Sequence, residues 1–159
     1  MPEIRPARIG DLVLLPEIER RSDTLFDQLG IGPLPPPGSV TELAAALVVL
    51  VAGDPVQGFA RIEALARDAH LEQLAVDPSA MRQGIGRALV RAASDWARDA
   101  YGGITLVTYR DVPWNGPFYA SEGFVELGAA DEWYAGLGLP PEDPVLGRFG
   151  TRIVMRRRL

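Results

Sequence analysis

Gly84 and Gly86 stand in the run Arg82-Gln83-Gly84-Ile85-Gly86-Arg87-Ala88-Leu89, behind Asp77-Pro78 and ahead of an amphipathic segment. Glycines let the main chain approach an anion, and the first N–H groups of a following helix, backed by its dipole, aim at that anion. The run reads as a phosphate cradle at a strand-to-helix turn. Side chains able to move protons are present too: carboxylates, the single His70 and four tyrosines. A carboxylate or an imidazole can take a proton from an amine, and a phenol can give one to a leaving group.

The type of cradle follows from what is missing. A dinucleotide fingerprint wants a small residue where Leu89 stands, and an acid about 20 residues further on at the end of the next strand. A P-loop wants Gly-Lys followed by Ser or Thr, and this stretch has no lysine. Neither pattern is met. What remains is strand, loop and Gly-x-Gly at a helix start, placed mid-chain behind a β-hairpin.

Periodicity supplies the elements that must position these groups. Residues 4–8 read as a short strand and 11–26 as a helix. The proline-rich segment 31–38 reads as a stiff loop, because its prolines lack N–H donors. Ser39 caps a helix over 40–46. Residues 47–52 and 56–65 form a hairpin around Gly53-Asp54-Pro55, and 71–76 a strand that Asp77-Pro78 ends. From Ile85 an apolar face of Leu89, Ala92, Ala93, Trp96 and Ala100 predicts a helix that Gly102-Gly103 stops. A strand over 104–109, a short helix over 115–122 and strands over 124–127 and 151–155 complete an α/β chain with helices packed on a sheet. Strand alternation puts His70, Glu72, Leu74 and Val76 on one face, and Leu71, Gln73 and Ala75 on the other.

Composition bounds the setting. With 159 residues, 47% of them hydrophobic, the chain suits a single domain over 1–159. Its 21 acidic against 16 basic residues argue against a broad nucleic-acid-binding face. Arg156-Arg157-Arg158 reads as the solvated end of the last strand. The absence of cysteine excludes disulfides and thiolate metal sites, and the single His70 cannot build a histidine metal centre alone, so no metal is expected. No apolar run reaches the roughly 18 to 20 residues that span a bilayer, so a soluble, cytoplasmic protein without membrane contact is expected.

Leu71-Glu72-Gln73-Leu74-Ala75-Val76-Asp77-Pro78, followed by Arg82 to Leu89, resembles the acyl-CoA-binding segment of the GNAT superfamily of N-acetyltransferases. Trp114-Asn115-Gly116-Pro117-Phe118-Tyr119-Ala120-Ser121-Glu122-Gly123-Phe124 resembles that family's second segment, an Asn-led helix with an aromatic-Tyr pair ending in Gly-Phe. The order of elements agrees along nearly the whole chain. The resemblance implies a mixed, mostly antiparallel central sheet flanked by helices, with a V-shaped splay between the middle strands. It implies that Arg82, Gln83, Gly84, Ile85, Gly86 and Arg87 hold the CoA pyrophosphate. In the family a bulge or splay near the middle of the sheet opens a slot for the pantetheine arm; Leu74, Ala75 and Val76 lie where it would form, and their main chain pairs with the arm as an added strand. Asn115 and Phe118 join the cofactor contacts, and Tyr119 sits near the thioester sulfur as general acid. Met81 stands where the family usually has Gln or Arg, which shifts binding onto backbone donors.

The resemblance also implies acetyl-CoA as co-substrate and direct transfer to a primary amine, with Glu72 as candidate base and His70 as second candidate. By analogy the acceptor, a small molecule or a peptide, meets the segments 26–38 and 128–150, where Phe26, Trp114, Trp133 and Tyr134 are candidate contacts. Many relatives dimerise, so a homodimer is one expectation. The rival reading is a non-catalytic acyl-CoA-binding or sensor module that keeps the cradle without turnover.

Overall fold

The computed structural model describes residues 1–128 and 146–159. They fall into two compact units, one of Met1–Glu63 with Leu71–Trp96, the other of Ala64–His70 with Ala97–Leu159.

In the first unit, β1 (Ile4–Pro6), β2 (Val48–Ala52) and β3 (Gly58–Leu65) form antiparallel neighbours. The register runs from Ile4 opposite Ala52 in the first pair, and from Val48 opposite Ile62 to Ala52 opposite Gly58 in the second. Alternation along β2 and β3 sends Val49, Val51 and Phe59 to one face. There Leu12, Leu15, Ile18 and Leu43 complete a core that also takes Ala75. Burying such side chains contributes roughly 1.5–3 kcal/mol each, which fixes the helices carrying them.

Those helices are α1 (Ile9–Leu12), α2 (Leu15–Asp23) and α3 (Val40–Ala45). The single helix expected over 11–26 is thus divided. Pro16 lies in the first turn of α2, where its missing N–H costs nothing, and it ends α1 behind it. Residues Thr24–Leu29, including Phe26, continue as a 3-10 turn that Gly30 closes at φ 68. Ser39 caps α3 as expected: its hydroxyl accepts from Glu42 N–H at 3.1 Å, and the Glu42 carboxylate accepts from Ser39 N–H at 3.1 Å.

β4 runs Asp68–Val76, three residues longer at its start than the strand expected over 71–76. A two-residue turn, Ala66-Arg67, joins it to β3, and at the far end Asp77 N–H donates to Gln57 O at 2.8 Å. Between turn and bond β4 holds one residue more than β3, which is a bulge. Burial along the strand shows its effect: Leu71 and Ala75 are buried, Glu72 is exposed, and Gln73 and Leu74 are half-buried. The unbroken two-residue alternation expected for residues 70–76 therefore does not hold.

α4 (Ile85–Ala97) buries Ile85, Leu89, Val90, Ala93 and Ala97, with Ser94 among them. Trp96 and Ala100, expected on this face, are exposed, because the stripe follows the 3.6-residue period back to Val90 and Ala97 instead.

In the second unit β5 (Gly103–Tyr109) pairs antiparallel with β7 (Arg152–Arg158), from Gly103 opposite Arg158 to Tyr109 opposite Arg152. β6 (Val125–Leu127) pairs antiparallel with β7 on its other side. The start of β4 lies parallel to β5 through two registered pairs, Ala69 with Ile104 and His70 with Thr105. α5 (Gly116–Ser121) precedes β6. All seven strands belong to one mixed, mostly antiparallel sheet of order β1-β2-β3-β4-β5-β7-β6.

β7 corrects one expectation. The strand extends through the arginine run, and Arg156 is not a solvated end. Its guanidinium donates to Asp68 from Nε at 2.7 Å and from Nη2 at 3.1 Å, with side-chain exposures of 11% for Arg156 and 1% for Asp68. The arginine lies over Gly103, where any Cβ would collide with the guanidinium.

Candidate functional site

The cradle is built from Asp77 onward. Asp77 leaves β4 with its carboxylate accepting from Ser79 N–H at 3.0 Å and Ser79 Oγ at 2.7 Å, and it pairs with Arg21 of α2 at 2.7 Å. These contacts hold the Asp77 carboxyl below its usual range against the opposing effect of desolvation. A short turn, Pro78–Ala80, follows, and then Arg82 and Gly84 both take left-handed backbones, at φ 62 and 79. They turn the exposed chain sharply into α4, whose opening N–H groups have no partner within the helix. A left-handed backbone at Arg82 is costly for a non-glycine residue, of the order of 1–2 kcal/mol, and it persists where the surroundings impose it.

Gly58 is a residue the sequence reading did not single out. A Cβ there would sit 2.9 Å from Ala75 O and 3.4 Å from the Ile85 Cγ2 methyl, so only glycine lets β3 lie against the bulged strand and the head of α4. The residues from Leu74 to Val76, expected to pair with the cofactor arm, take their position from this contact. Glu72 is exposed on the same strand, and Phe26 is half-buried in its 3-10 turn.

On α2, Glu19 is half-buried and accepts from Gly38 N–H at 3.2 Å, which ties the proline-rich loop to the helix. Burial pushes its carboxyl up to about 7, and burial pushes Asp23 up to about 6. A raised carboxyl means that the folded chain keeps a proton the unfolded chain releases. Its stabilisation is complete below the unfolded value and is lost as pH rises through the folded one. Stability is therefore expected to fall between about pH 4 and 8. Glu19→Gln, which keeps an oxygen for Gly38, is expected to flatten that decline by on the order of 1 kcal/mol after allowing for solvent screening. Urea midpoints of both proteins across this range check it, and parallel declines would contradict it.

In the second unit His70 is buried, with Nδ1 2.9 Å from Thr105 Oγ1. It lies inside β4 rather than at a strand start, because the strand begins at Asp68. Asn115 precedes α5, and its carbonyl accepts from Tyr119 N–H at 2.9 Å. Its side-chain oxygen accepts from Thr108 Oγ1 at 2.5 Å, while its Nδ2 is buried and has no acceptor. Gly116 allows this turn, since a Cβ there would strike the Arg110 backbone. Tyr119 is 8% exposed and sits edge-on to Phe118 at 5.1 Å and to Phe124 at 5.7 Å between ring centroids. Burial raises its phenol above the ordinary value, so it stays protonated across the physiological range.

The first unit contains Glu72, Leu74 to Val76, Arg82 to Arg87 and Phe26. The second gathers His70, Asn115, Phe118 and Tyr119, with Trp114 half-buried beside them in sequence. Trp133 and Tyr134 lie outside the described residues. Asp68, Thr105 and Thr108 were not anticipated. Their partners are 88, 35 and 7 residues away in the chain, and only the last separation is short enough to show as a local pattern.

The acetyltransferase (GNAT) domain family matches residues 44–126, more than half of the chain. Solved structures agree. The Mycobacterium tuberculosis protein Rv2747, in complex with CoA and NLQ, is 25% identical at a TM-score of 0.69, with 99% of each chain covered. The PaiA N-acetyltransferase of Thermoplasma acidophilum, in complex with coenzyme A, is 18% identical at a TM-score of 0.71, covering 100% of this chain and 99% of that one. The ribosomal-protein-S18-alanine N-acetyltransferase of Escherichia coli is 23% identical at a TM-score of 0.69, covering 99% of this chain and 94% of that one. The sheet order and the family match define an acetyltransferase-type α/β domain. The chain belongs to the GNAT acetyltransferase family.

Proposed function

We propose that this protein is an acetyl-CoA-dependent N-acetyltransferase that passes the acetyl group directly to a primary amine of a small molecule or peptide. The observation that carries this reading is the turn at Arg82 and Gly84 feeding the thirteen-residue α4 within the matched segment. A helix start of this kind aims its opening N–H groups outward, which favours an anion such as a pyrophosphate. The buried, unpartnered Nδ2 of Asn115 is a second feature that fits a bound cofactor.

In this reading Arg82 to Arg87 hold the pyrophosphate, and Leu74 to Val76 pair with the pantetheine arm. Asn115 and Phe118 add cofactor contacts. A lysine-like amine is neutral only about once in a few thousand molecules at pH 7, so a base speeds attack. Glu72 takes the amine proton, directly or through water, with His70 as the second candidate. The amine nitrogen bonds to the thioester carbon, the carbon–sulfur bond breaks, and Tyr119 O–H donates to the departing sulfur. The products are an amide and the free thiol of CoA. Phe26 and Trp114 line the acceptor side, and Trp133 and Tyr134 are placed there by family analogy alone. Among the described residues no helix is long and apolar enough to cross a membrane, and a cytoplasmic location belongs to this proposal.

Thermal protection tests the cofactor assignment. Acetyl-CoA at about 100 times its Kd is expected to add roughly 2.7 kcal/mol of stability, whereas NAD and ATP add little. Protection by NAD or ATP instead would overturn the assignment. Gly84→Ala places a side chain on a left-handed backbone and is expected to cost about 1–2 kcal/mol. The same variant is expected to weaken CoA binding several-fold, read by calorimetry.

A further inference from the structure

Thr108 lies on β5 with its side chain buried and its hydroxyl 2.5 Å from Asn115 Oδ1. A hydroxyl carries one proton, and here it goes to the amide oxygen. That fixes the amide plane, so the nitrogen of Asn115 must point the other way. There Nδ2 is shut off from solvent with no acceptor. A buried N–H without an acceptor costs about 1–3 kcal/mol, and folding does not retain such a cost without reason. A ligand oxygen recovers that cost when it reaches the nitrogen by displacing what covers it.

We propose that Thr108 is a positioning residue for the cofactor: it locks the Asn115 amide so that Nδ2 donates to an amide carbonyl of the pantetheine arm. This rests on the acetyl-CoA reading above. The arm's carbonyls are the only neutral amide acceptors in CoA that a neutral donor can match without competing with solvated phosphates. Relieving the orphaned donor then makes binding depend on the arm, over and above the nucleotide end. The turn from Val112 to Gly116 supports the arrangement, with Asn115 N–H donating to Val112 O at 2.9 Å and Gly116 packed on the Arg110 backbone. The amide is therefore held from the main-chain side as well as by Thr108.

The test compares CoA with adenosine 3′,5′-bisphosphate, which keeps a nucleotide end and has no arm, by calorimetry on the full chain. Thr108→Val is expected to weaken CoA by about tenfold, the size of one lost hydrogen bond, and to leave the bisphosphate within about twofold. Thr108→Ser restores CoA binding to near the wild-type level. Asn115→Asp keeps an acceptor for Thr108 and removes the Nδ2 donor, so it is expected to show the same split even if Thr108→Val folds poorly. Unchanged CoA binding in Asn115→Asp overturns the proposal, as does an equal loss of CoA and bisphosphate in Thr108→Val. Wild-type protein that binds neither ligand overturns the acetyl-CoA reading itself, which separates the two failures.

Discussion

Tyr119→Phe is expected to lower turnover by at least about tenfold while leaving acetyl-CoA affinity nearly unchanged, because it removes a proton donor and nothing else. The ring keeps its edge-on packing with Phe118 and Phe124, so the variant should fold like the parent. The raised phenol sharpens the role. With its proton held above the ordinary value of about 10, Tyr119 is a poor acid toward a solvated thiolate, whose conjugate acid lies near 8.5. A thiolate leaving into the same desolvated surroundings is more basic, and burial acts on donor and acceptor in the same direction. Steady-state kinetics separates the outcomes. A fall in kcat with KM for acetyl-CoA preserved supports the role, and unchanged kcat removes Tyr119 from the chemistry.

Arg156→Met is expected to be the most damaging change to stability, costing about 3–5 kcal/mol, since it leaves the Asp68 carboxylate buried without its partner. Urea denaturation would show a lower midpoint at an unchanged slope. Replacing both residues, Asp68→Leu with Arg156→Met, is expected to recover most of the loss, because two apolar groups of similar size carry no desolvation penalty. A cost under about 1 kcal/mol for Arg156→Met would mean that the pair behaves as a surface ion pair despite its burial.

The fate of Arg156 shows where sequence reasoning stops. A run of three arginines near the end of the chain carries no sign that one of them reaches an aspartate 88 residues away. Local chemistry was a surer guide. The Ser39 cap and the hairpin turn at Gly53 depend on neighbours in the chain, and both were legible there. The stop expected at Gly102-Gly103 was misplaced: α4 ends at Ala97, and Gly103 opens β5. Pro16 could have divided the helix expected over 11–26, since proline favours a first turn over an interior position. The bulge in β4 was implied by the family resemblance and not by the residues, because an extra residue appears only once the strand is counted against β3. It matters because it interrupts the face pattern between Glu72 and Val76.

Within the candidate site the glycines were legible for a physical reason: Gly84 takes a backbone that other residues avoid, at φ 79. The candidate proton-moving groups Glu72 and Tyr119 were named from the family resemblance, and His70 from its residue type. Thr108 gave no signal, as a threonine in a strand is the expected β-branched filler, and its hydroxyl gains meaning only from the Asn115 side chain opposite it.

The most direct test of the account is release of CoA thiol from acetyl-CoA by the purified protein across a panel of primary amines, including small polyamines, amino acids and peptide termini. The chain contains no lysine, so its own side chains offer no ε-amine to acetylate, and the background from self-modification is low. Thiol release is expected to depend on one class of amine and to drop by at least about tenfold in Tyr119→Phe. Tight acetyl-CoA binding with no amine-dependent release from any member of the panel would contradict it and leave a binding module in place of an enzyme.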